Sequence, residues 1–316
     1  MNKEAIKIVK KICEKPEKYN VTVNRSSSGA LIIDAGIKAR GGFLVGRLIT
    51  EICLGGLGEA YFSSMRVGEI ELPSITVYTD HPSISTLGSQ LAGWRIKVDG
   101  YMAIGSGPAR ALALKPKKIY NKIKYRDNAG EAVLVLETSK EPPENVVEAI
   151  SSSCRIPPEN LFLILTPTSS VAGLTQISGR IVETGIHKLA ELGLDPNVIL
   201  YAWGQAPILP VHPDSIESMG RANDAILYGG VAHYILSHEN DEYLKNLVEK
   251  AVSSVSKDYG KPFSEIYKAA NQDFYKIDPQ IFAPAKIVVT NEKSGKTFVA
   301  GGINEKILLQ SIGFSS

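Results

Sequence analysis

Gln176, Arg180, Glu183 and His187 stand at spacings of four, three and four in the string QISGRIVETGIH, so on one continuous helix they would share a face. Desolvation pushes a partly buried carboxylate towards the neutral acid, and a neighbouring guanidinium pushes it back towards the charged base. An Arg180–Glu183 pair could therefore hold a general acid/base at a useful pKa. The competing reading is a solvated ion pair worth a few tenths of a kcal/mol. Gly179 and Gly185 weigh against it, because a glycine inside a helix costs about 1 kcal/mol relative to alanine. That sacrifice is more often seen where something packs closely.

A second candidate is the loop Gly105-Ser106-Gly107-Pro108-Ala109-Arg110 ahead of the helix former Ala111 to Leu114. Glycines let backbone approach a ligand, and N–H groups at a helix start attract anions, so the loop is either an anion or carboxylate site or a plain turn into a helix. A dinucleotide fingerprint would need Gly at 110, where Arg stands. Ser106, Ser169 and Ser170 lack a GxSxG elbow, which favours hydrogen bonding or capping over nucleophilic attack. Asn223 and Asp224, ahead of Tyr228-Gly-Gly230, are either part of a site or a cap. His81, His187, His212, His233 and His238 form no HExxH or other tight ligand set, and no metal is expected.

The elements that must position these residues alternate strand and helix. An amphipathic helix opens the chain, with Ala5, Ile6, Val9 and Ile12 on one stripe. Short strands follow over 21–24 and 29–35, then a helix over 41–53. Residues 74–79, 132–138, 161–166 and 198–203 read as strands, residues 82–93, 142–154 and 173–192 as helices, and residues 286–300 as a hairpin. Arg95-Ile96 and Arg155-Ile156 repeat at a 60-residue offset, each after a strand and a proline-started helix. The offset suggests repeat-like halves near 74–115 and 132–180, with loops 105–110 and 166–176 facing one another across a cleft. This order of elements favours an α/β architecture of two interleaved subdomains, with ligands at strand ends.

Composition narrows the function classes. The 316 residues are 44% hydrophobic and 22% charged, which describes a globular chain of about two domains' length. Thirty-five basic against 33 acidic residues leave a charge of +2, without the basic excess of a nucleic-acid binder. No run approaches the roughly 18 apolar residues of a membrane span, and the first 19 residues are threaded with Lys and Glu, unlike a signal peptide. A cytoplasmic location is expected. Cys13, Cys53 and Cys154, an odd number without a CxxC pair, read as free thiols.

Six blocks, in order, carry a more specific signal: EICLGGL (51–57), QLAGW (90–94), GSGPAR (105–110), QISGRIVETGIHKL (176–189), APILP (206–210) and Asn223-Asp224. Together they resemble methenyltetrahydromethanopterin cyclohydrolase. The resemblance implies a metal-free homotrimeric enzyme of one-carbon metabolism with a three-layer α/β/α fold of two intertwined, pseudo-symmetric subdomains and no permanently bound cofactor. Its substrate would be a tetrahydromethanopterin derivative, whose cationic methenyl bridge is reversibly hydrolysed to the N5-formyl form. By the same resemblance, Glu183 is the acid/base and Arg180 orients and tunes it. Gln90, Ser106, Gly107, Arg110, Ser169, Gln176, Asn223 and Asp224 would bind substrate. Leu91 stands where some relatives carry a lysine, so a second cationic contribution is not carried over. Two rival functions are a nucleotide-dependent oxidoreductase using the Gly105 loop and a non-catalytic pterin-binding scaffold.

Overall fold

The computed structural model describes residues 1–314. The chain begins with α1 (Asn2–Cys13), β1 (Thr22–Arg25), β2 (Leu31–Asp34), α2 (Phe43–Cys53), β3 (Glu59–Val67) and β4 (Ile70–Thr79). It continues through α3 (Pro82–Ser85), β5 (Trp94–Val98), β6 (Tyr101–Ser106), α4 (Ala109–Ala113), α5 (Lys117–Ile123), β7 (Ala132–Glu137), α6 (Glu144–Cys154), β8 (Leu161–Leu165) and α7 (Val171–Ser178). The remaining elements are α8 (Ile181–Glu191), β9 (Ile199–Pro207), α9 (Ser215–Leu227), β10 (Val231–Leu236), α10 (Asp241–Lys250), α11 (Phe263–Ala269), β11 (Lys286–Asn291), β12 (Thr297–Gly301) and α12 (Glu305–Ser311). Two units share the chain: Met1–Glu59 with Ser83–Gln176, and Ala60–Pro82 with Ile177–Ser316.

The first unit is built on the sheet β1-β2-β8-β7-β6-β5. Its central strand β7 reads Ala-Val-Leu-Val-Leu-Glu, and the alternation of side chains sends Val133 and Val135 to one face and Leu134 and Leu136 to the other. On the first face they meet the apolar stripes of α1 (Ala5, Ile6, Val9) and α2 (Val45, Leu48, Ile49). On the second they meet Val146, Val147 and Ile150 of α6. A strand buried on both faces is apolar throughout for this reason, and the unit has the three α/β/α layers expected of it.

The second unit is built on the sheet β12-β11-β10-β9-β4-β3. Ala202, Gly204 and Ala206 of β9, and Ala232 and Tyr234 of β10, alternate with Tyr201, Trp203, His233 and Ile235. The cross-strand partners Tyr78, Trp203, His233 and Val288 form one row. In it Trp203 stacks on His233 with ring centroids 4.0 Å apart. Tyr78 and Tyr201 remain about half exposed. α8 packs against β9 and β10, and α10 against β11 and β12. The expected C-terminal hairpin is β11–β12, paired antiparallel from Lys286–Gly301 to Thr290–Thr297.

Two expectations are corrected by the pairing. The 60-residue offset does not relate equivalent strands: β4 lies antiparallel to β9 in one sheet, whereas β7 lies parallel to β8 in the other. The loops after β6 and β8 belong to one unit, and they leave its sheet in opposite directions because β6 is antiparallel to β7. The 82–93 helix also stops short, since α3 passes into a π-helical turn over Thr86–Gln90 and the chain is extended at Leu91.

Candidate active site

Glu183 occupies the third position of α8, where the unsatisfied N–H groups of a helix start favour a carboxylate. Arg180 caps this start with its carbonyl, which accepts from the Thr184 amide (2.8 Å) and the Thr184 hydroxyl (3.0 Å). Both side chains are withdrawn from water, Arg180 to 8% and Glu183 to 6% exposure. That departs from the solvated ion pair weighed from the sequence, because surface pairs keep their charges hydrated.

The helix expected over 173–192 is two helices. α7 ends at Ser178, whose hydroxyl donates to the Pro207 carbonyl at 2.8 Å. The Arg180 amide then returns to the Ile177 carbonyl (2.9 Å), three residues back instead of four, and α8 starts afresh. Gly179 therefore lies in a turn, and Gln176, nearly fully buried on α7, does not share a helical face with Glu183. His187 is half-buried on α8 and lies 3.9 Å from Glu191. Gly185 does lie inside a helix, and the reason is contact: a Cβ there would stand 2.1 Å from the Tyr234 hydroxyl. Gly230 serves the same approach, since its Cβ would come within 2.4 Å of the Ile181 Cδ1 at the first position of α8. Neither Tyr234 nor Gly230 was singled out from sequence. Residues 231–236 gave no strand signal of their own, and only the glycine pair at 229–230 marked the region.

In the first unit, the Gly105 loop is held from two directions. Gly107, at φ +105° where side chains are disfavoured, donates its amide to the Ser89 carbonyl (2.8 Å). The Asn2 side chain donates to the Pro108 carbonyl (2.9 Å) and accepts from the Val133 amide (3.0 Å). Ser106 is buried, its hydroxyl 3.6 Å from the Cys53 thiol. Gln90 is buried at the end of the π-helical turn, a feature common at functional sites. The hydroxyls of Ser89 and Thr166 are buried and make no hydrogen bond among the described residues. Ser169 is exposed in the loop before α7, while Ser170 accepts from the Gly173 amide (3.0 Å) and so caps that helix.

Two of the expected ligand contacts are engaged by protein groups. Arg110 is fully buried and donates to the carbonyls of Lys115 (2.9 Å), Leu87 (3.2 Å) and Ser89 (2.9 Å), so it braces the 86–90 turn. Asp224 is fully buried on α9, accepting from the Phe263 amide (2.8 Å) and the Ser311 hydroxyl (2.6 Å). Burial, first of all, raises its pKa to about 7. It joins helices of its own unit. Asn223, half-buried, donates to the Met219 carbonyl one turn earlier. All three cysteines are free thiols, as expected. Among the described residues, no three His, Cys, Asp or Glu side chains gather as a metal would require.

Comparison with known proteins decides the family. The family model described as Cyclohydrolase (MCH) matches residues 1–312. The chain belongs to the cyclohydrolase (MCH) family. It is 45% identical to the methenyltetrahydromethanopterin cyclohydrolase of Methanocaldococcus jannaschii, over 100% of this chain and 98% of that protein. The protein of the same name from Methanothermobacter marburgensis is 45% identical, with 99% of each chain covered. That of Methanococcoides burtonii is 43% identical over 100% of this chain and 99% of its own. Within this cyclohydrolase family the α/β fold and the buried start of α8 acquire a chemical context.

Proposed function

We propose that this chain is a hydrolase that reversibly converts N5,N10-methenyl-tetrahydromethanopterin to N5-formyl-tetrahydromethanopterin. The observation that carries the chemical assignment is the Glu183 side chain, 6% exposed at the first turn of α8, in a chain of the cyclohydrolase family. The substrate's bridging carbon is a cationic amidinium, so a buried carboxylate favours its binding and can take a proton from the attacking water. As the C–O bond forms, that proton passes to Glu183. When the bond from carbon to N10 breaks, the protonated Glu183 returns the proton to N10, the new hydroxyl becomes the formyl oxygen, and its proton leaves to solvent. One water enters and one proton is released. Arg180, one turn before Glu183, orients the carboxylate towards the attacking water.

Gln90, Ser106, Gly107, Ser169, Gln176 and Asn223 are proposed substrate contacts, and their substitution would raise KM. Cytoplasmic residence, a homotrimer and the absence of a permanently bound cofactor belong to the same proposal. Among the described residues no helix is long and apolar enough to cross a membrane. The exposed aromatic row around Tyr78 and Tyr201 is the kind of surface that subunit association covers, and sedimentation velocity would measure the subunit number.

Loss of the near-ultraviolet absorbance of the methenyl pterin on adding purified protein tests the reaction. Glu183→Gln is expected to cut turnover by at least about a hundredfold with circular dichroism unchanged, since positioned acid/base catalysis is worth about 10²–10⁴-fold. Arg180→Ala is expected to lower it less. Absence of turnover by the wild-type chain would overturn the proposal.

A further inference from the structure

The phenol of Tyr234 enters the backbone of the helix that carries Glu183. Tyr234 stands on β10, fully buried, and its hydroxyl donates to the Val182 carbonyl at 2.9 Å. Val182 immediately precedes Glu183, and Gly185 lies two residues beyond it on the same turn of the helix. The phenol oxygen therefore grips, at the Val182 carbonyl, the turn that presents Glu183. Only glycine at 185 admits it, because a Cβ there would lie 2.1 Å from the oxygen and 3.0 Å from the ring carbon bearing it.

Its chemical state suits the task. Complete burial, followed by the nearby negative charge of Glu183, keeps the hydroxyl protonated well above the ordinary tyrosine range. It remains a donor to Val182 at any pH at which the protein works. The strand beneath is held by β9 on one side and β11 on the other, so the anchor is part of the sheet and does not move with the helix surface.

We infer that Tyr234 is a positioning residue for catalysis, fixing the Val182–Gly185 turn and with it the place of the Glu183 carboxylate. This rests on Glu183 being the acid/base. A carboxylate that drifts by about 1 Å from the attacking water can lose as much as about a hundredfold in rate, while groups that bind the rest of a pterin substrate are untouched. The signature is a fall in kcat without a change in KM.

The test is steady-state hydrolysis of methenyl-tetrahydromethanopterin by the full chain carrying Tyr234→Phe, which keeps the ring and removes only the hydroxyl. We expect kcat to fall at least tenfold, with KM within twofold of wild type and an unchanged circular dichroism spectrum. A folded Tyr234→Phe protein with kcat within twofold of wild type overturns the inference, as does a loss confined to KM. Gly185→Ala displaces the same oxygen from the helix side, and it answers the question if the phenylalanine variant does not fold. The same split is expected there, and a wild-type kcat overturns the inference. Glu183→Gln, measured alongside, separates the two levels. If it retains full kcat, the acid/base reading itself falls; if it is inactive while Tyr234→Phe is not, only the role of Tyr234 falls.

Discussion

The Asp224 carboxylate, in the interior of α9, accepts a hydrogen bond of 2.6 Å from the Ser311 hydroxyl, tying α9 to the last residue of α12 across 87 positions of sequence. The Phe263 amide at the start of α11 donates to its other oxygen at 2.8 Å. One buried side chain thus joins three helices of the second unit. Burial raises its pKa from 3.8 to about 7, because the charged form has lost its water.

That shift has a defined sign. The folded chain holds the Asp224 proton up to about pH 7, whereas the unfolded chain releases it near 3.8, so between these values the folded state binds more protons. The group's contribution to stability is whole below the lower value and is lost as pH rises through the upper one. Asp224→Asn, which carries no titrating proton, should therefore gain on wild type as pH rises from 4 to 8, by a few kcal/mol in all. Urea unfolding of both proteins at pH 5 and pH 8 measures this. A difference that is the same at the two pH values would refute it.

Gly230 admits the first residue of α8. In Gly230→Ala the new methyl would meet the Ile181 Cδ1 at 2.4 Å and the Ile226 carbonyl at 2.7 Å, so the helix start or the strand must move. The expected outcome is a loss of about 1–3 kcal/mol, as for other overpacked interiors. Turnover should fall too, because Glu183 rides on the displaced turn. Adding Ile181→Val removes Cδ1 and should return part of both. Unfolding curves and kcat for the single and double variants would show it, and a fully stable single variant would contradict it.

Arg110 offers a test between a ligand contact and a structural brace. Three carbonyls in different directions accept from its guanidinium, and a lysine ammonium cannot reach all of them in the same geometry. Arg110→Lys should cost about 3 kcal/mol by leaving buried carbonyls unpaired. If Arg110 held substrate directly, the same variant would raise KM and leave the urea midpoint in place.

Much of this architecture was legible because it is local. The alternation in Ala132–Glu137 and the apolar stripe of Asn2–Cys13 are set by periods of 2 and 3.6, and both reach the structure nearly unaltered. The hairpin at Lys286–Gly301 was equally plain, its two strands flanking a polar, glycine-bearing loop. Chemistry was legible where it lay in one short string, as with Arg180 and Glu183, and the ordered blocks were enough to mark the cyclohydrolase family.

The remainder was settled by partners far along the chain. The 173–192 segment reads as one helix until the Pro207 carbonyl takes the Ser178 hydroxyl and the turn at Gly179–Arg180 separates α7 from α8. Arg110 and Asp224 have the residue types of ligand contacts, and they became braces because carbonyls, an amide and a hydroxyl from other segments close around them. Tyr234 carries no sequence signal, and it meets the helix of Glu183 from 52 residues away. Periodicity fixes which face of an element is apolar, so the sequence by itself determined the most regular elements, the family and the candidate acid/base. Which buried polar atoms meet depends on how those elements dock, and only the tertiary structure decided that.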